Sequence, residues 1–266
     1  KFYDAEKGQY DNGTQTSSAL PLFFGLVPEG EREKVFATLT KNIETVTNNH
    51  IGTGLIGAQW INRVLSDNGR IDLSYAFATN RDYPSWGYMI EKGATTIWEL
   101  WNGDTADPAM CSHNHVMLVG DLATWFYEYL AGIKADERAL GFKHIVMRPN
   151  VVGDLTGVNA SHNSARGLIA SEWKFDPEAK TFVWRVTIPA NTTATISVPT
   201  TNPDSLSMRT TRLKIVPPEP LEIRPVKYER IFNDFDASTL EKKIADGRVE
   251  FELGSGIYEI TAELAK

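Results

Sequence analysis

The spacing of apolar residues changes near residue 140, and this change constrains the fold more than any other feature of the sequence. Before it, apolar residues recur three and four positions apart, which is the pattern of amphipathic helices. After it they alternate with polar residues, most strictly over residues 182–188, which is the pattern of half-buried strands. The sequence therefore predicts a helical domain over residues 1–140 and a β domain over residues 141–266.

Several helices are predicted in the first part of the chain, and paired helices of this kind suit an α/α toroid. The glycine-rich stretch 51–57 lacks the spacing of a phosphate-binding loop and no strand clearly precedes it, so it is interpreted as a tight loop between helices. The predicted helices cover residues 14–27, 35–46, 59–65, 71–79, 83–91 and 112–130.

The second part of the chain contains short alternating segments separated by turn residues, a pattern typical of an antiparallel β-sandwich. Residues 201–245 are less regular and contain the helix- and strand-breaking run Pro217-Pro218-Glu219-Pro220, so we expect extra strands and an insertion there. The predicted strands are centred on residues 168–175, 182–188, 194–198, 249–253 and 258–262.

Charge and composition exclude several classes of protein. A net charge of −7 and a pI near 5.3 argue against a nucleic-acid partner, which would require a basic face. No apolar run is long enough to span a membrane. The only cysteine, Cys111, cannot form an internal disulfide. Because the first residue is Lys and no signal peptide follows, we expect the chain to begin inside a longer polypeptide or after processing; periplasmic, extracellular and cytoplasmic locations all stay open.

The segment 93–102 has the composition of a carbohydrate site. It places the carboxylate of Glu99 between Trp98 and Trp101, and aromatic faces stack on the apolar C–H face of a sugar while a carboxylate carries out proton transfer. The alternative is a buried or capping glutamate beside two core tryptophans. This segment alone does not decide between them.

Other polar residues near Glu99 are candidates for metal binding or for acid catalysis. Cys111, His113 and His115 do not fit a zinc-binding spacing, so no metal and no cofactor are predicted. Asp104 and Asp107 are candidates for a second carboxylate, but acids in a loop before a helix more commonly face solvent or cap the helix.

Several ordered motifs resemble the α-L-rhamnosidase family of inverting glycoside hydrolases. The resemblance covers roughly residues 7–200, and little of the sequence beyond residue 200 resembles the family. The chain departs from the family at Leu100, where a charged residue is usual, and at Asn102, where an acid is common, which leaves the finer substrate preference open. The motifs are Tyr10-Asp11-Asn12-Gly13-Thr14-Gln15-Thr16-Ser17-Ser18-Ala19-Leu20, Phe24-Gly25-Leu26-Val27-Pro28, Leu65-Ser66-Asp67-Asn68-Gly69-Arg70, Tyr83-Pro84-Ser85-Trp86-Gly87-Tyr88, Gly93-Ala94-Thr95-Thr96-Ile97-Trp98-Glu99, Ser112-His113-Asn114-His115, Gly141-Phe142-Lys143-His144-Ile145, Arg148-Pro149 and Ser171-Glu172-Trp173.

The resemblance implies both a fold and a set of site residues. The fold would be an (α/α)6 catalytic barrel followed by a β-sandwich. Glu99 would be the general base that deprotonates the attacking water, and His115 would lie in the sugar pocket. Trp86, Trp98 and Trp101 would be walls of that pocket.

The resemblance also implies that part of the catalytic machinery lies outside these residues. Inversion needs two carboxyl groups roughly 6.5–9.5 Å apart, and the family carries the acid upstream of the segment that begins at Thr14. The predicted helices amount to about half of the toroid. We therefore expect uncovered apolar faces at Phe23, Phe24 and Trp125, with self-association or a missing N-terminal portion, and no turnover from residues 1–266 alone.

Three functions remain open at this point. The first is hydrolysis of terminal α-L-rhamnosyl residues from glycosides or polysaccharides by inversion. The second is another (α/α)6 glycosidase with the same general base and a different sugar. The third is a non-catalytic carbohydrate-binding or structural fragment, which would fit half a barrel without its acid.

Overall fold

The computed structural model describes residues 2–216 and 227–264, and the chain divides into two compact units. The first unit is Lys1–Trp125 and the second is Phe126–Lys266. The boundary predicted near residue 140 lies after the first strand of the second unit, Ile133–Ala135. Among the described residues, none of the helices is long and apolar enough to cross a membrane.

The first unit consists of α-helices that follow a short two-stranded hairpin. The hairpin pairs β1 (Tyr3–Asp4) with β2 (Gln9–Tyr10). A π-helical turn, Asn42–Val46, extends the second helix, and Phe126–Leu130 extends the last one at the start of the second unit. The helices are α1 Gln15–Phe23, α2 Arg32–Lys41, α3 Leu55–Asp67, α4 Ile71–Thr79, α5 Trp86–Glu91 and α6 Val116–Trp125.

Local hydrogen bonds explain where α1 begins and ends. The Thr14 hydroxyl accepts the Ser17 N–H at 3.2 Å and caps the first turn. The predicted helix ran on to residue 27, but Gly25 takes a φ of +64° and the Leu26 N–H donates to the Pro21 carbonyl at 2.9 Å. This is a glycine C-cap, which ends the helix at Phe23.

The core of the helical unit is made of side chains that are almost wholly excluded from solvent. Trp125 was expected on an uncovered face, but this expectation was wrong: its side chain is fully buried and its indole N–H donates to the Ser66 hydroxyl at 2.9 Å. Phe24 is 53% exposed, and Phe23 packs on Trp60 with ring centroids 4.2 Å apart. The most buried core residues include Ala19, Leu22, Val35, Leu39, Ile43, Ile51, Ile61, Leu65 and Phe77.

The second unit contains two sheets that bury one common hydrophobic core. The six-stranded sheet has the order β10-β9-β13-β7-β6-β5, and the five-stranded sheet has the order β11-β12-β8-β4-β3. The strands are β3 Ile133–Ala135, β4 His144–Met147, β5 Gly157–Ser164, β6 Gly167–Asp176, β7 Thr181–Ile188, β8 Thr193–Val198, β9 Ser207–Val216, β10 Lys227–Asp234, β11 Lys243–Ala245, β12 Arg248–Leu253 and β13 Gly256–Glu263.

The strand predictions for this unit are confirmed by burial and pairing. In β7, Phe182, Trp184, Val186 and Ile188 are buried, and the residues between them are more exposed. One pair departs from the predicted antiparallel arrangement: β4 runs parallel to β8. Between these two strands the chain crosses the other sheet through β5, β6 and β7, and a long crossover of this kind is what a parallel pair requires.

The irregular region 201–245 contains extra strands, as expected. β9 pairs with β10 in an antiparallel hairpin, and β9 also pairs with β13. The run Pro217-Pro218-Glu219-Pro220, where an insertion was predicted, lies outside the described residues.

Candidate active site

The segment that carries Glu99 leaves the end of α5 through a glycine turn. Gly93 has a φ of +85°, and the Ala94 N–H donates to the Met89 carbonyl at 2.9 Å. A residue with a Cβ is strained in this left-handed conformation, so glycine suits the position. The turn ends α5 and sends the chain into the irregular segment between α5 and α6, where the candidate site residues lie.

Residues 96–99 and residues 112–115 of this segment lie side by side and are joined by hydrogen bonds. The Glu99 N–H donates to the Ser112 carbonyl at 2.9 Å, and the His115 N–H donates to the Ile97 carbonyl at 2.9 Å. The Thr96 hydroxyl donates to the His113 carbonyl. Residues 96–99 are therefore held against residues 112–115 by main-chain contacts, although neither part is a regular strand.

The Glu99 side chain is exposed, and one of its oxygens is held in place. Oε2 accepts the Ser112 N–H at 3.1 Å, so the same residue fixes the main chain and the carboxylate of Glu99. A carboxylate held by one oxygen and open to solvent is suited to accept a proton from water. The side chain is therefore not a buried core glutamate, whereas its contact with the Ser112 N–H is one that a capping glutamate also makes.

Trp98 is buried beneath the loop that follows it and is only 6% exposed. Its indole packs against His113, with ring centroids 5.3 Å apart and an angle of 31° between the planes. On the same indole lies Gly103, where an added Cβ would approach ring atoms to 2.6 Å. Met89 and Cys111 complete the small apolar cluster around Trp98. Trp98 therefore supports the Glu99 segment from below.

Trp86 and Trp101 are in edge-to-face contact, with ring centroids 5.3 Å apart and planes at 80°. The indole N–H of Trp101 donates to the Thr53 carbonyl at 2.8 Å, which ties the segment to the loop before α3. Trp86, although mostly buried, lines an open pocket of about 440 Å³. The pocket is lined by Trp86, Met89, Ile90, Ala94, Thr95, Thr96, Ile97, Asn114 and Leu122.

His115 directly precedes α6 and is half-buried. Its Nδ1 is buried and has no hydrogen-bond partner among the described residues. On α6, burial raises the pKa of Asp121 to about 6, an effect that the charges of Arg63 and His115 oppose. One buried carboxylate oxygen of Asp121 also has no hydrogen-bond partner within residues 2–216 and 227–264.

The other candidate acids of the segment are engaged in local contacts. Both carboxylate oxygens of Asp104 accept from the Tyr88 hydroxyl, at 3.0 and 3.1 Å. Asp107 accepts the Ala109 N–H at 2.9 Å and so closes a turn. Neither contact brings a second carboxylate to Glu99. In the part of the chain that the structure describes, no three His, Cys, Asp or Glu side chains are grouped to hold a metal ion.

Sequence reasoning missed the residues that support Glu99. Ser112 acts through its main-chain N–H, a group that every non-proline residue has, so no side-chain pattern points to it. For His113 the sequence offers only a metal-ligand spacing, which does not fit zinc. The requirement for glycine at position 103 is visible only in the structure, where Trp98 lies beneath it. The one available signal is Trp98, five residues after the turn glycine Gly93, and it is weak.

Comparison with known proteins gives the same assignment for both units. The profile of the bacterial alpha-L-rhamnosidase 6 hairpin glycosidase domain matches residues 1–130, so the helical unit belongs to a class of glycoside hydrolases. The profile of the bacterial alpha-L-rhamnosidase C-terminal domain matches residues 132–212. The chain therefore belongs to the α-L-rhamnosidase family.

Individual relatives agree with this family. An alpha-L-rhamnosidase of Formosa agariphila is 37% identical over 212 residues, which are 78% of this chain and 22% of that protein. The crystal structure of Streptomyces avermitilis alpha-L-rhamnosidase complexed with L-rhamnose matches with a TM-score of 0.80 and 30% identity, over 98% of this chain and 22% of that one. A structure from Dictyoglumus thermophilum matches with a TM-score of 0.75, 30% identity and coverage of 94% and 25%. The chain thus spans about a fifth of the length of the curated relatives.

Proposed function

We propose that the intact polypeptide containing these residues hydrolyses terminal α-L-rhamnosyl residues of glycosides or polysaccharides, with inversion at the anomeric carbon. The family of the chain and a relative solved with L-rhamnose support this substrate class. The observation that carries the proposal is the exposed Glu99 carboxylate, held through Oε2 by the Ser112 N–H at 3.1 Å.

In this mechanism Glu99 accepts a proton from a water molecule. The water oxygen bonds to the anomeric carbon as the glycosidic C–O bond breaks, and a second carboxyl group protonates the departing oxygen. Since water attacks from the side opposite the leaving group, an α-glycoside yields the β-anomer of the sugar. The proton taken by Glu99 returns to solvent and the acid is reprotonated, so water is the only reagent consumed.

We further propose that the acid and the remaining helices of an (α/α)6 barrel come from outside residues 1–266. The main support is length, because the chain covers about a fifth of its curated relatives. Asp104 and Asp107, the acids closest in sequence to Glu99, are engaged with Tyr88 and with the Ala109 main chain. On this proposal, residues 1–266 alone have no turnover.

For the sugar itself we propose contacts with His115 and Trp86. The buried Nδ1 of His115 has no protein partner among the described residues, and Trp86 lines the open pocket that also contains Asn114. Trp101 is half-buried with its N–H committed to Thr53, and Trp98 lies beneath Gly103, so these two act mainly by holding the Glu99 segment.

The test compares aryl α-L-rhamnosides with a panel of other aryl glycosides, using the intact polypeptide and its Glu99→Gln variant. Glu33, exposed at the start of α2, provides the control Glu33→Gln. We expect the rhamnoside to be cleaved and Glu99→Gln to lower kcat by about 10³-fold, since general base catalysis contributes about 10²–10⁴. Proton NMR of the first product should show the β-anomer.

Other outcomes of this panel identify the competing functions. Cleavage of a different glycoside, with the same loss in Glu99→Gln, would make the protein another (α/α)6 glycosidase. Binding of sugars without cleavage would make it a carbohydrate-binding protein. Ordinary activity in Glu99→Gln would remove the general-base assignment.

A further inference from the structure

His113 forms hydrogen bonds with residues that precede and follow Glu99 in the chain. Its carbonyl accepts the hydroxyl of Thr96, three residues before Glu99. Its imidazole Nε2 lies 3.0 Å from the carbonyl of Gly103, four residues after Glu99. Because a carbonyl only accepts, Nε2 must carry the proton in this bond. One residue thus closes the turn that presents the carboxylate.

The ring of His113 also covers Trp98, the indole on which this turn rests. Gly103 approaches the same indole so closely that a Cβ would not fit. His113 donates a hydrogen bond to Gly103 and packs on Trp98. Both contacts require the same orientation of the imidazole ring, so each of them stabilises the other.

The residue before His113 is the one that binds the carboxylate. Ser112 donates its N–H to Glu99 Oε2 and accepts the Glu99 N–H through its carbonyl. The carbonyl of Ser112 belongs to the peptide group shared with His113, so the position of His113 sets the direction of that carbonyl. Loosening His113 from Thr96 and Gly103 would let the Ser112 contacts, and with them Glu99, move.

We propose that His113 is a positioning residue for the general base: it holds the Glu99 carboxylate in the orientation required for water activation and does not itself touch the sugar. This inference rests on the proposed function of Glu99. It assigns catalytic significance to a histidine whose side chain is bonded only to the protein's own loop in the described structure.

The experiment measures kcat and KM for an aryl α-L-rhamnoside in the intact polypeptide with His113→Ala, His113→Gln and His113→Phe. Glutamine can place its N–H near the position of the histidine Nε2, whereas phenylalanine retains only the ring. We expect His113→Ala to lower kcat about tenfold with KM changed less than about twofold, because small displacements of a catalytic group are costly. His113→Gln should recover most of the lost kcat, and His113→Phe should not.

A double-mutant comparison distinguishes positioning from a general structural role. In the Glu99→Gln background, His113→Ala should have no further effect on the residual kcat, since the group that His113 positions has been removed. His162 is the matched control, as its ring also packs on an aromatic side chain, Phe142, and His162→Ala should leave kcat unchanged.

Each result decides one of the two claims. A full additional loss of kcat in the double variant, or a loss that appears only in KM, would overturn the role of His113 while leaving Glu99 as the base. Normal activity in Glu99→Gln would instead overturn the proposed function. Circular dichroism and melting temperature check folding, and if His113→Ala does not fold, the contrast between His113→Gln and His113→Phe carries the same test.

Discussion

Tryptophans are buried in different ways in the two units. In the β unit, Trp173 on β6 and Trp184 on β7 face each other across paired strands, and both are fully buried. Their N–H groups donate to the Leu130 carbonyl and the Ser171 hydroxyl, at 2.8 and 2.9 Å. In the helical unit, Trp98 lies under irregular main chain and is covered by one histidine and one glycine.

The difference concerns how many contacts hold each ring. The two β-unit tryptophans are fixed by strand ladders on both sides, so local changes are shared among many bonds. The Glu99 segment depends on a few specific contacts, among them those of Ser112, His113 and Gly103. Substitutions in the β core should therefore act on stability, and substitutions around Trp98 should act on catalysis.

The largest effect on stability is expected for Trp184→Ala. The side chain is fully buried, and removing it leaves a cavity and breaks the bond from its N–H to the Ser171 hydroxyl, which still donates to the Ala131 carbonyl. We expect the free energy of unfolding to fall by about 3–5 kcal/mol. Urea denaturation followed by circular dichroism measures it, with Leu168→Ala on the exposed face of β6 as control. Equal losses in the two variants would show that the two faces of this sheet are not energetically different.

The β core could be predicted from the sequence because its period is two. Alternation at Phe182, Trp184 and Val186 specifies which side faces the core without knowledge of the partner strand. The parallel pairing of β4 with β8 could not be predicted, because it depends on how the chain crosses between sheets.

Prediction was less complete for the site. The resemblance singled out Glu99, but the support for it comes from main-chain groups of Ser112 and from contacts of His113 with residues 96 and 103. Irregular main chain has no period from which such contacts can be read. The raised pKa of Asp121 likewise depends on burial that only packed helices create.

Gly103→Ala tests whether a change beside the Glu99 segment acts on catalysis. An added methyl group would lie 2.6 Å from the Trp98 indole, so the loop or the ring must shift. We expect kcat for the aryl rhamnoside to fall about tenfold, with a loss of stability of about 1–3 kcal/mol. Gly254→Ala is the control, since a Cβ there meets open space. If kcat is unchanged while the melting temperature falls, Gly103 affects only stability, as the core residues of the β unit are expected to do.

The smallest effect is expected for Asp121, a buried ionisable group. The two units also differ in how their buried ionisable side chains are hydrogen-bonded. Arg248 in the β unit is buried but donates to the carbonyls of Pro149 and Ser197, at 2.6 and 2.8 Å. Asp121 in the helical unit has a buried oxygen without a hydrogen-bond partner in the described residues, and burial raises its pKa to about 6. The folded state therefore binds the Asp121 proton more tightly than the unfolded chain does, and stability falls as pH rises from about 4 to about 6.

Asp121→Asn removes this dependence on pH. At pH 4 Asp121 is neutral in the folded state, as asparagine is, and the melting temperatures of wild type and variant should differ least. At pH 7.5 the variant should be more stable by about 1 kcal/mol, less than the raised pKa alone would imply, because Asp121 is only half-buried. Melting curves at several pH values measure the difference, with exposed Asp82→Asn as control. A difference that stays constant from pH 4 to 7.5 would mean that burial does not raise the pKa of Asp121 in the folded protein.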